Sequence, residues 1–197
     1  MLNKLVYILF LLSAFQMNAQ TPILSLYDND LGDVHGAYYK DINNKLDEFI
    51  GTWIYSKGNT SLTITLQKKL MQHTVSGNLD FYEDIIIGEY KYIENGVTKV
   101  NTLSQLQLNL EPDAHSIVGN SMIGTTERRL YTQFAEPGRE IPGMDESMIF
   151  RRLDDGAIQK LRLVFRMTEG YHTVNGQQPQ FTSYSIPFGE YLLVKQP

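Results

Sequence analysis

Three aspartates near the N-terminus are the first residues whose chemistry suggests a metal site. Asp28, Asp30 and Asp33 lie close together, and carboxylate oxygens are ligands that Ca²⁺ prefers. Counted from Asp28, however, glycine falls at position five and Tyr39 at position twelve. An EF-hand loop requires glycine at about position six and glutamate at position twelve. The spacing therefore predicts an acidic arm rather than a calcium loop.

The four histidines do not have the spacing of a metal site. His35, His73, His115 and His172 form no H-x-H, H-x-x-H or HExxH motif. The chain has no cysteine, which excludes disulfides, iron–sulfur clusters and thiolate zinc sites. A zinc site would need long-range convergence of imidazoles, so we predict no metal. We expect His115 and His172, at loop ends, to be solvated.

Adjacent acidic residues could supply paired carboxylates for acid–base catalysis. The pairs are Glu83-Asp84, Asp145-Glu146 and Asp154-Asp155. Each pair lies at a predicted strand end or turn, where solvated acids are common. The sequence also has no Gly-x-Ser-x-Gly, Walker A or dinucleotide-binding motif. We therefore predict no catalytic residue, no cofactor and no enzymatic activity.

Aromatic residues on the predicted strands are the best candidates for contacting a ligand. If their side chains point into a barrel, they would line an apolar cavity in which tyrosine hydroxyls supply hydrogen bonds. The alternative is that they only fill the core. The candidates for this cavity are Tyr55, Tyr90, Tyr92, Phe150 and Phe165.

Alternation of apolar and polar residues dominates the chain after residue 51. Gly58-Asn59 and Asn95-Gly96 each predict a tight hairpin between alternating segments. Because eight or nine strands with short turns would expose many edges, an all-β antiparallel barrel is favoured. A two-sheet sandwich is the alternative. The predicted strands begin at Thr52 and continue over residues 61–67, 84–94, 97–103, 106–110, 116–124, 147–153, 158–168 and 190–195.

A short helix is predicted immediately before the first strand. Over residues 41–50 apolar residues share one helical face, Asp41 is a suitable N-cap, and Gly51 ends the segment. Residues 20–40 show no dominant period and predict a loosely attached, flexible arm. The barrel domain is thus expected to span residues 41–197.

The N-terminus has the features of a secretory signal peptide. Lys4 provides a positive charge, residues 5–15 are apolar but too short to span a bilayer, and Ala19 fits a cleavage site. We expect removal of residues 1–19, which makes the mature protein secreted or periplasmic, with no integral membrane segment. An uncleaved anchor is the alternative, whereas lipid attachment is excluded by the lack of cysteine.

Several short motifs give the chain a family resemblance. They are Phe49-Ile50-Gly51-Thr52-Trp53-Ile54-Tyr55, the turn at Gly58-Asn59, and Gly88-Glu89-Tyr90-Lys91-Tyr92. Together they resemble a family of uncharacterised secreted proteins from Gram-negative bacteria, a domain of unknown function with a lipocalin-like appearance. The resemblance implies a lipocalin-like (calycin) barrel and is silent on activity.

The step Gly51-x-Trp53 also resembles the first-strand motif of lipocalins. In those proteins the tryptophan closes one end of the barrel, and a basic side chain from a late strand packs over it. The resemblance assigns these structural roles to Gly51 and Trp53, which is the only tryptophan. The basic residue would then be Lys195, Arg162 or Arg166.

The charge distribution argues against polyanionic partners. The chain has 17 lysines and arginines against 22 aspartates and glutamates, a net charge of −5. A scattered acidic balance is poorly suited to nucleic acid or to an anionic membrane surface. The densest basic spots, Arg128-Arg129 and Arg151-Arg152, are predicted to be solvated strand edges or turns.

Two function hypotheses from different classes follow. The first is binding of a small apolar or amphipathic ligand in the barrel. The second is a protein-interaction module at the cell surface, using the long loops over residues 132–146 and 169–189, which contain several proline and glycine residues. An enzyme would instead require titratable groups that converge in one cleft.

Overall fold

The computed structural model describes residues 21–28, 30–123, 128–153 and 158–197. The predicted signal peptide, residues 1–19, and the acidic pair Asp154-Asp155 lie outside these ranges. Strands account for most of the regular structure, together with short 3-10 helices. Within the described ranges, no helix has both the length and the apolar character needed to cross a membrane.

The strands are numbered in chain order. They are β1 (Ile23–Ser25), β2 (Tyr38–Lys40), β3 (Gly51–Lys57), β4 (Thr60–Ser76), β5 (Leu79–Glu94), β6 (Val97–Asn101), β7 (Ile117–Ile123), β8 (Arg129–Phe134), β9 (Asp145–Leu153), β10 (Lys160–Glu169) and β11 (Gly189–Lys195). The 3-10 helices are Lys45–Glu48, Leu103–Gln107 and Pro112–Ala114.

In the described part of the chain, eight of the strands form a closed antiparallel barrel. The order around the ring is β5-β4-β3-β11-β10-β9-β8-β7. The ring closes because β7 pairs with β5, with Ile117 opposite Gly88. Of the remaining strands, β6 pairs with the end of β5, and β2 and β1 add short parallel pairings to the outside of the ring. The predicted all-β antiparallel barrel is confirmed, and the sandwich alternative is wrong.

Strand alternation decides which side chains fill the barrel. Leu62 and Ile64 on β4, and Leu161 and Leu163 on β10, are all fully buried. The side chains between them along each strand face the outside, because successive Cβ atoms point to opposite faces of a sheet. Burying an aliphatic side chain of this size contributes about 1.5–3 kcal/mol, so the two inward rows are a major source of stability.

The segment before β3 covers one end of the barrel, called here the closed end. It forms only the 3-10 helix Lys45–Glu48, so the predicted helix over residues 41–50 is corrected to a single short turn. Asn44 has a left-handed φ of 52°, which prevents an α-helix from running through this point. Asp41 nevertheless caps the turn, since its carboxylate accepts hydrogen bonds from the amides of Lys45 (2.8 Å) and Leu46 (3.0 Å).

The predicted loose arm is packed where the structure describes it. Ala37 and Tyr39 are fully buried. The hydroxyl of Tyr38 donates a 2.6 Å hydrogen bond to Asp84 on β5, which also accepts the amide of Asp41 at 2.9 Å. The segment was difficult to predict because its strands are only three residues long, and because β2, the partner of β1, pairs with distant β5.

Two strand assignments also differ from the prediction. The predicted strand over residues 106–110 overlaps the 3-10 helix Leu103–Gln107. Leu108 is 53% exposed, so the alternating apolar residues of this segment do not pack against the core. Strand β8 was not predicted as a strand. Thr132 occupies one of its inward positions and donates a 2.9 Å hydrogen bond to the Met148 carbonyl, so a polar residue interrupts the apolar alternation.

Candidate functional site

The two long loops meet at the end of the barrel opposite the closed end. Strands β8 and β10 both finish at this open end, so the β8–β9 loop (residues 135–144) and the β10–β11 loop (residues 170–188) emerge side by side. Between them lies an open cleft of about 690 Å³, within the usual size range of small-molecule sites. Its lining residues are Ala135, Glu136, Gly138, Arg139, Glu140, Ile141, Met144, Glu146, Gln180, Phe181 and Tyr184.

Glu136 joins the two loops at one wall of the cleft. Its buried carboxylate accepts hydrogen bonds from Arg139 Nε (2.8 Å), from the Ser185 amide (2.7 Å) and from the Ser185 hydroxyl (2.6 Å). The tight turn through Pro137-Gly138, closed by a 3.0 Å bond from the Arg139 amide to the Glu136 carbonyl, brings Arg139 into reach. Charge-assisted bonds of this kind are stronger than neutral ones, so this cluster fixes the relative position of the loops.

Arg139 extends the same connection along the β10–β11 loop. Its guanidinium lies 4.2 Å from the ring centroid of Phe181, and its Nη1 donates a 3.1 Å hydrogen bond to the Ser183 carbonyl. A guanidinium over an aromatic face is attracted by the ring quadrupole. Arg139 therefore holds Phe181 in place as part of the cleft wall.

A second contact between the loops lies farther along both of them. The amide of His172 donates a 3.0 Å hydrogen bond to the Pro142 carbonyl. The ring of His172 packs so closely on Gly143 that a Cβ at this position would overlap it. The mouth of the cleft is thus bounded by loops that are joined at two places.

Glu146, at the start of β9, is a carboxyl group that lines the cleft. It is partly buried, and its Oε2 has no hydrogen-bond partner among the described residues. Burial raises the pKa of this carboxyl, as does Asp145, whereas a hydrogen bond with Tyr184 lowers it. Burial also raises the pKa of the Tyr184 hydroxyl. The cleft therefore contains an acceptor that a ligand donor could satisfy.

Aromatic rings form the layer beneath the cleft. Phe134 contacts Phe165 (4.9 Å between centroids), Tyr184 (5.2 Å) and Tyr90 (5.3 Å). Phe188 lies 4.6 Å from Phe165. Offset and edge-on contacts at these distances stabilise aromatic clusters, so the rings close the top of the barrel core.

Of the five aromatic residues predicted from sequence as cavity candidates, Tyr90 and Phe165 belong to this layer. Tyr90, Phe150 and Phe165 are buried in the core, as is Tyr92, and Tyr55 packs edge-on against Tyr191 at 5.1 Å. None of them is among the lining residues of the cleft. The lining instead comes from the loops, and the sequence signal for it was loop length rather than aromatic content. Glu136 and Tyr184 were not singled out from the sequence.

At the closed end, Trp53 is fully buried and lies between two basic side chains. Lys195 Nζ is 5.3 Å from its ring, and the Arg152 guanidinium is 5.4 Å from it. Gly51 has a φ of 124°, and a Cβ there would lie 2.8 Å from Lys195 Cε, so glycine makes room for the lysine.

Arg162 and Arg166, the other two candidates for packing over Trp53, are corrected to the outer face of the barrel. Both are exposed, because the inward positions of β10 belong to the residues between them. Arg162 instead forms an ion pair with Glu190, at 2.7 and 2.6 Å from its two carboxylate oxygens.

His115 is buried rather than solvated. Its Nδ1 lies 2.9 Å from Glu89, whose other oxygen accepts a 2.6 Å hydrogen bond from the Ser116 hydroxyl. Because that hydroxyl donates to Glu89 and not to the imidazole, this is not a nucleophile–base arrangement. His172 contacts Gly143, as described above.

The acidic pair Glu83-Asp84 is likewise buried and hydrogen-bonded, contrary to the prediction of solvated acids. Glu83 accepts hydrogen bonds from Thr74 and Asn120, both at 2.6 Å. Across the residues that the structure describes, no group of three or more histidines or acids could hold a metal ion.

A family of unknown function (DUF6705) matches residues 1–196. The chain belongs to this family. The predicted membership in a domain-of-unknown-function family is thereby confirmed. No curated protein and no solved structure matches the chain. Any function for this DUF6705 member must therefore be argued from the open-end cleft and from the rest of its own surface.

Proposed function

We propose that this protein binds a small amphipathic molecule in the open-end cleft. The observation that carries the proposal is Glu146, a partly buried carboxyl with an unpaired oxygen in a cleft of about 690 Å³. A buried acceptor without a partner is unfavourable by about 1–3 kcal/mol. A ligand that donates a hydrogen bond, or that carries a cationic amine, would remove this cost.

The walls of the cleft support an amphipathic rather than a purely polar ligand. Phe181 and Tyr184 present aromatic surface, and Ile141 and Met144 add aliphatic surface. Five of the eleven lining residues are charged or carry an amide, and ligand sites combine apolar walls with placed polar groups. The expected ligand therefore has an apolar body and a donor group directed at Glu146.

The loop contacts also favour binding. Glu136, Arg139 and Ser185 hold the two loops together. A site that is already ordered loses less conformational entropy when a ligand binds. The cleft is therefore suited to binding without a large closing movement.

The test is mass spectrometry of an organic extract from the protein, purified without detergent after export to a Gram-negative periplasm. The variant Ala135→Trp places a large side chain in the cleft, and Thr98→Trp adds the same side chain at an exposed position of β6. We expect to detect a small molecule in the extracts of wild type and Thr98→Trp, but not in the extract of Ala135→Trp. An extract in which all three proteins carry the same molecule, or none does, would contradict binding in the cleft.

A second candidate function is protein interaction, the alternative that the loop lengths also predict. Met167, Tyr171 and Val174 are 51%, 40% and 47% exposed and follow one another from the end of β10 into the β10–β11 loop. Contiguous exposed apolar surface is typical of partner-binding sites, so this stretch is a candidate for one. A photo-crosslinking residue at position 171 should capture one protein in the producing cells, and Val174→Ser should abolish the capture.

We also propose that the protein acts outside the cytoplasm. The support is the sequence of residues 1–19 alone. The intact mass of the exported protein should correspond to a chain that begins at Gln20. A mass that retains residues 1–19 would contradict cleavage.

A further inference from the structure

The outer face of the barrel carries a concentration of arginines that is separate from the cleft. The residues come from β8, β9 and β10 and line one groove of about 230 Å³. The groove is lined by Arg129, Arg151, Arg162 and Arg166, together with Ile149 and Val164.

Strand register places three of these arginines in a continuous row. Arg129 is directly opposite Arg151, and Arg151 is directly opposite Arg162. Residues directly opposite one another in antiparallel strands have Cβ atoms about 4.5–5.5 Å apart, and like charges in such positions repel. The row therefore concentrates guanidinium groups on one part of the outer face.

Apolar side chains lie next to the arginine row. Ile149 and Val164 face each other in the next register position, so an apolar strip borders the row. Arg166 lies beyond this strip, on the same outward face of β10 as Arg162. The groove is therefore apolar along its length and positively charged on both sides.

This geometry fits one class of ligand group. A guanidinium presents a rigid fork of N–H donors that matches the oxygens of a phosphate. The sheet sets the spacing of the backbone positions that carry these arginines, so more than one guanidinium group can reach the same ligand. Arg162 is paired with Glu190, whose two carboxylate oxygens lie 2.7 and 2.6 Å from its Nη2.

We propose that this groove is a binding site for a phosphate-bearing ligand with at least two anionic oxygens and an adjoining apolar portion. The chain's net charge of −5 argues against attraction of polyanions by the protein as a whole, so the binding depends on the local row. The same chemistry is found in soluble diphosphates and in the headgroups of anionic phospholipids, and the experiment separates these sources.

The experiment measures calorimetric binding of inorganic pyrophosphate, and co-sedimentation with phosphatidylglycerol vesicles against phosphatidylcholine vesicles, at low salt. The test variant is Arg151→Gln/Arg166→Gln. The control, Lys57→Gln/Lys91→Gln, removes the same charge from β3 and β5, outside the groove. We expect wild type and control to bind pyrophosphate or the anionic vesicles. The test variant should bind at least about tenfold more weakly, since it loses two guanidinium groups and the charged hydrogen bonds that they donate.

A second variant tests the row in the opposite direction. Glu190→Gln removes the carboxylate that neutralises Arg162, so it should bind the same probe several-fold more tightly. Binding of pyrophosphate alone would identify a soluble ligand, and binding of vesicles alone a lipid surface. Failure of wild type to bind either probe, or an equal loss in the control variant, would overturn the proposal.

Discussion

The indole N–H of Trp53 donates a 2.8 Å hydrogen bond to the backbone carbonyl of Phe49. This bond joins the first barrel strand to the short turn that covers the closed end, and both side chains are fully buried. The tryptophan therefore connects the covering segment to the core as well as filling the barrel end.

Truncating this side chain should be strongly destabilising. We expect Trp53→Ala to lower the free energy of unfolding by about 3–5 kcal/mol, because it creates a large cavity and leaves the Phe49 carbonyl without its donor. Urea unfolding followed by far-UV circular dichroism measures the loss. Trp53→Phe keeps most of the volume and should lose less. Equal stability of Trp53→Ala and wild type would refute the structural role.

Gly119 on β7 should not tolerate a side chain. A Cβ at this position would lie 2.7 Å from the Tyr131 carbonyl oxygen and 2.9 Å from the Thr132 Cα. Both are backbone atoms of the paired strand and cannot move aside without disturbing the barrel. We expect Gly119→Ala to cost about 1–3 kcal/mol, measured by thermal or urea unfolding.

Gly170 provides the matched control for this substitution. It lies in a loop, and nothing lies within 4 Å of the position of its Cβ. Gly170→Ala should leave the stability unchanged or raise it slightly, because it reduces the entropy of the unfolded chain. If Gly170→Ala destabilises as much as Gly119→Ala, strand crowding is not the cause.

Removing the carboxylate of Glu136 should loosen the two loops at the cleft. Glu136→Ala breaks the bonds to Arg139 and to both donors of Ser185. Hydrogen–deuterium exchange should accelerate across residues 135–144 and 170–188, most clearly at the Ser185 amide. Ser185→Ala removes only one of these bonds and should produce a smaller change. Unchanged exchange in Glu136→Ala would show that the loops are held by other contacts.

The stability of the protein should depend on pH through Glu146. Burial raises the pKa of this carboxyl in the folded state, so the folded protein binds the proton more tightly than the unfolded chain does. The free energy of unfolding must then fall as the pH rises from about 4.3, the ordinary glutamate value, through the raised pKa. Glu146→Gln abolishes this titration, and its stability relative to wild type should increase across the same window.

Urea unfolding at a series of pH values measures this difference. Glu140→Gln, on the exposed part of the β8–β9 loop, is the control for the removal of one negative charge. A difference between Glu146→Gln and wild type that stays constant with pH would contradict the assignment to Glu146.

The sequence supported the fold well because the relevant signals are local. Gly58-Asn59 and Asn95-Gly96 are hairpin turns in the structure, and the alternation over residues 61–67 lies within β4. Such patterns depend on neighbouring residues alone. Alternation misled where local pattern and burial disagree, as at the exposed Leu108 and the inward Thr132.

The candidate sites were less accessible from the sequence. The loops over residues 132–146 and 169–189 were identified by their length, but their meeting at Glu136 and Ser185 joins residues that are far apart in the chain. The burial of His115 against Glu89 could not be predicted either. The two residues are distant in the sequence, and only the folded chain brings them together.

The strand alternation, the hairpin turns and the Gly51-x-Trp53 step at the start of the first barrel strand could all be predicted from the amino-acid sequence alone. These features follow from side-chain period and backbone sterics, which act within a few residues. The tertiary structure decided which strands become neighbours around the ring. That choice aligned Arg129, Arg151 and Arg162 in one row and set Glu146 into a cleft between two loops, because register and closure are properties of the whole sheet.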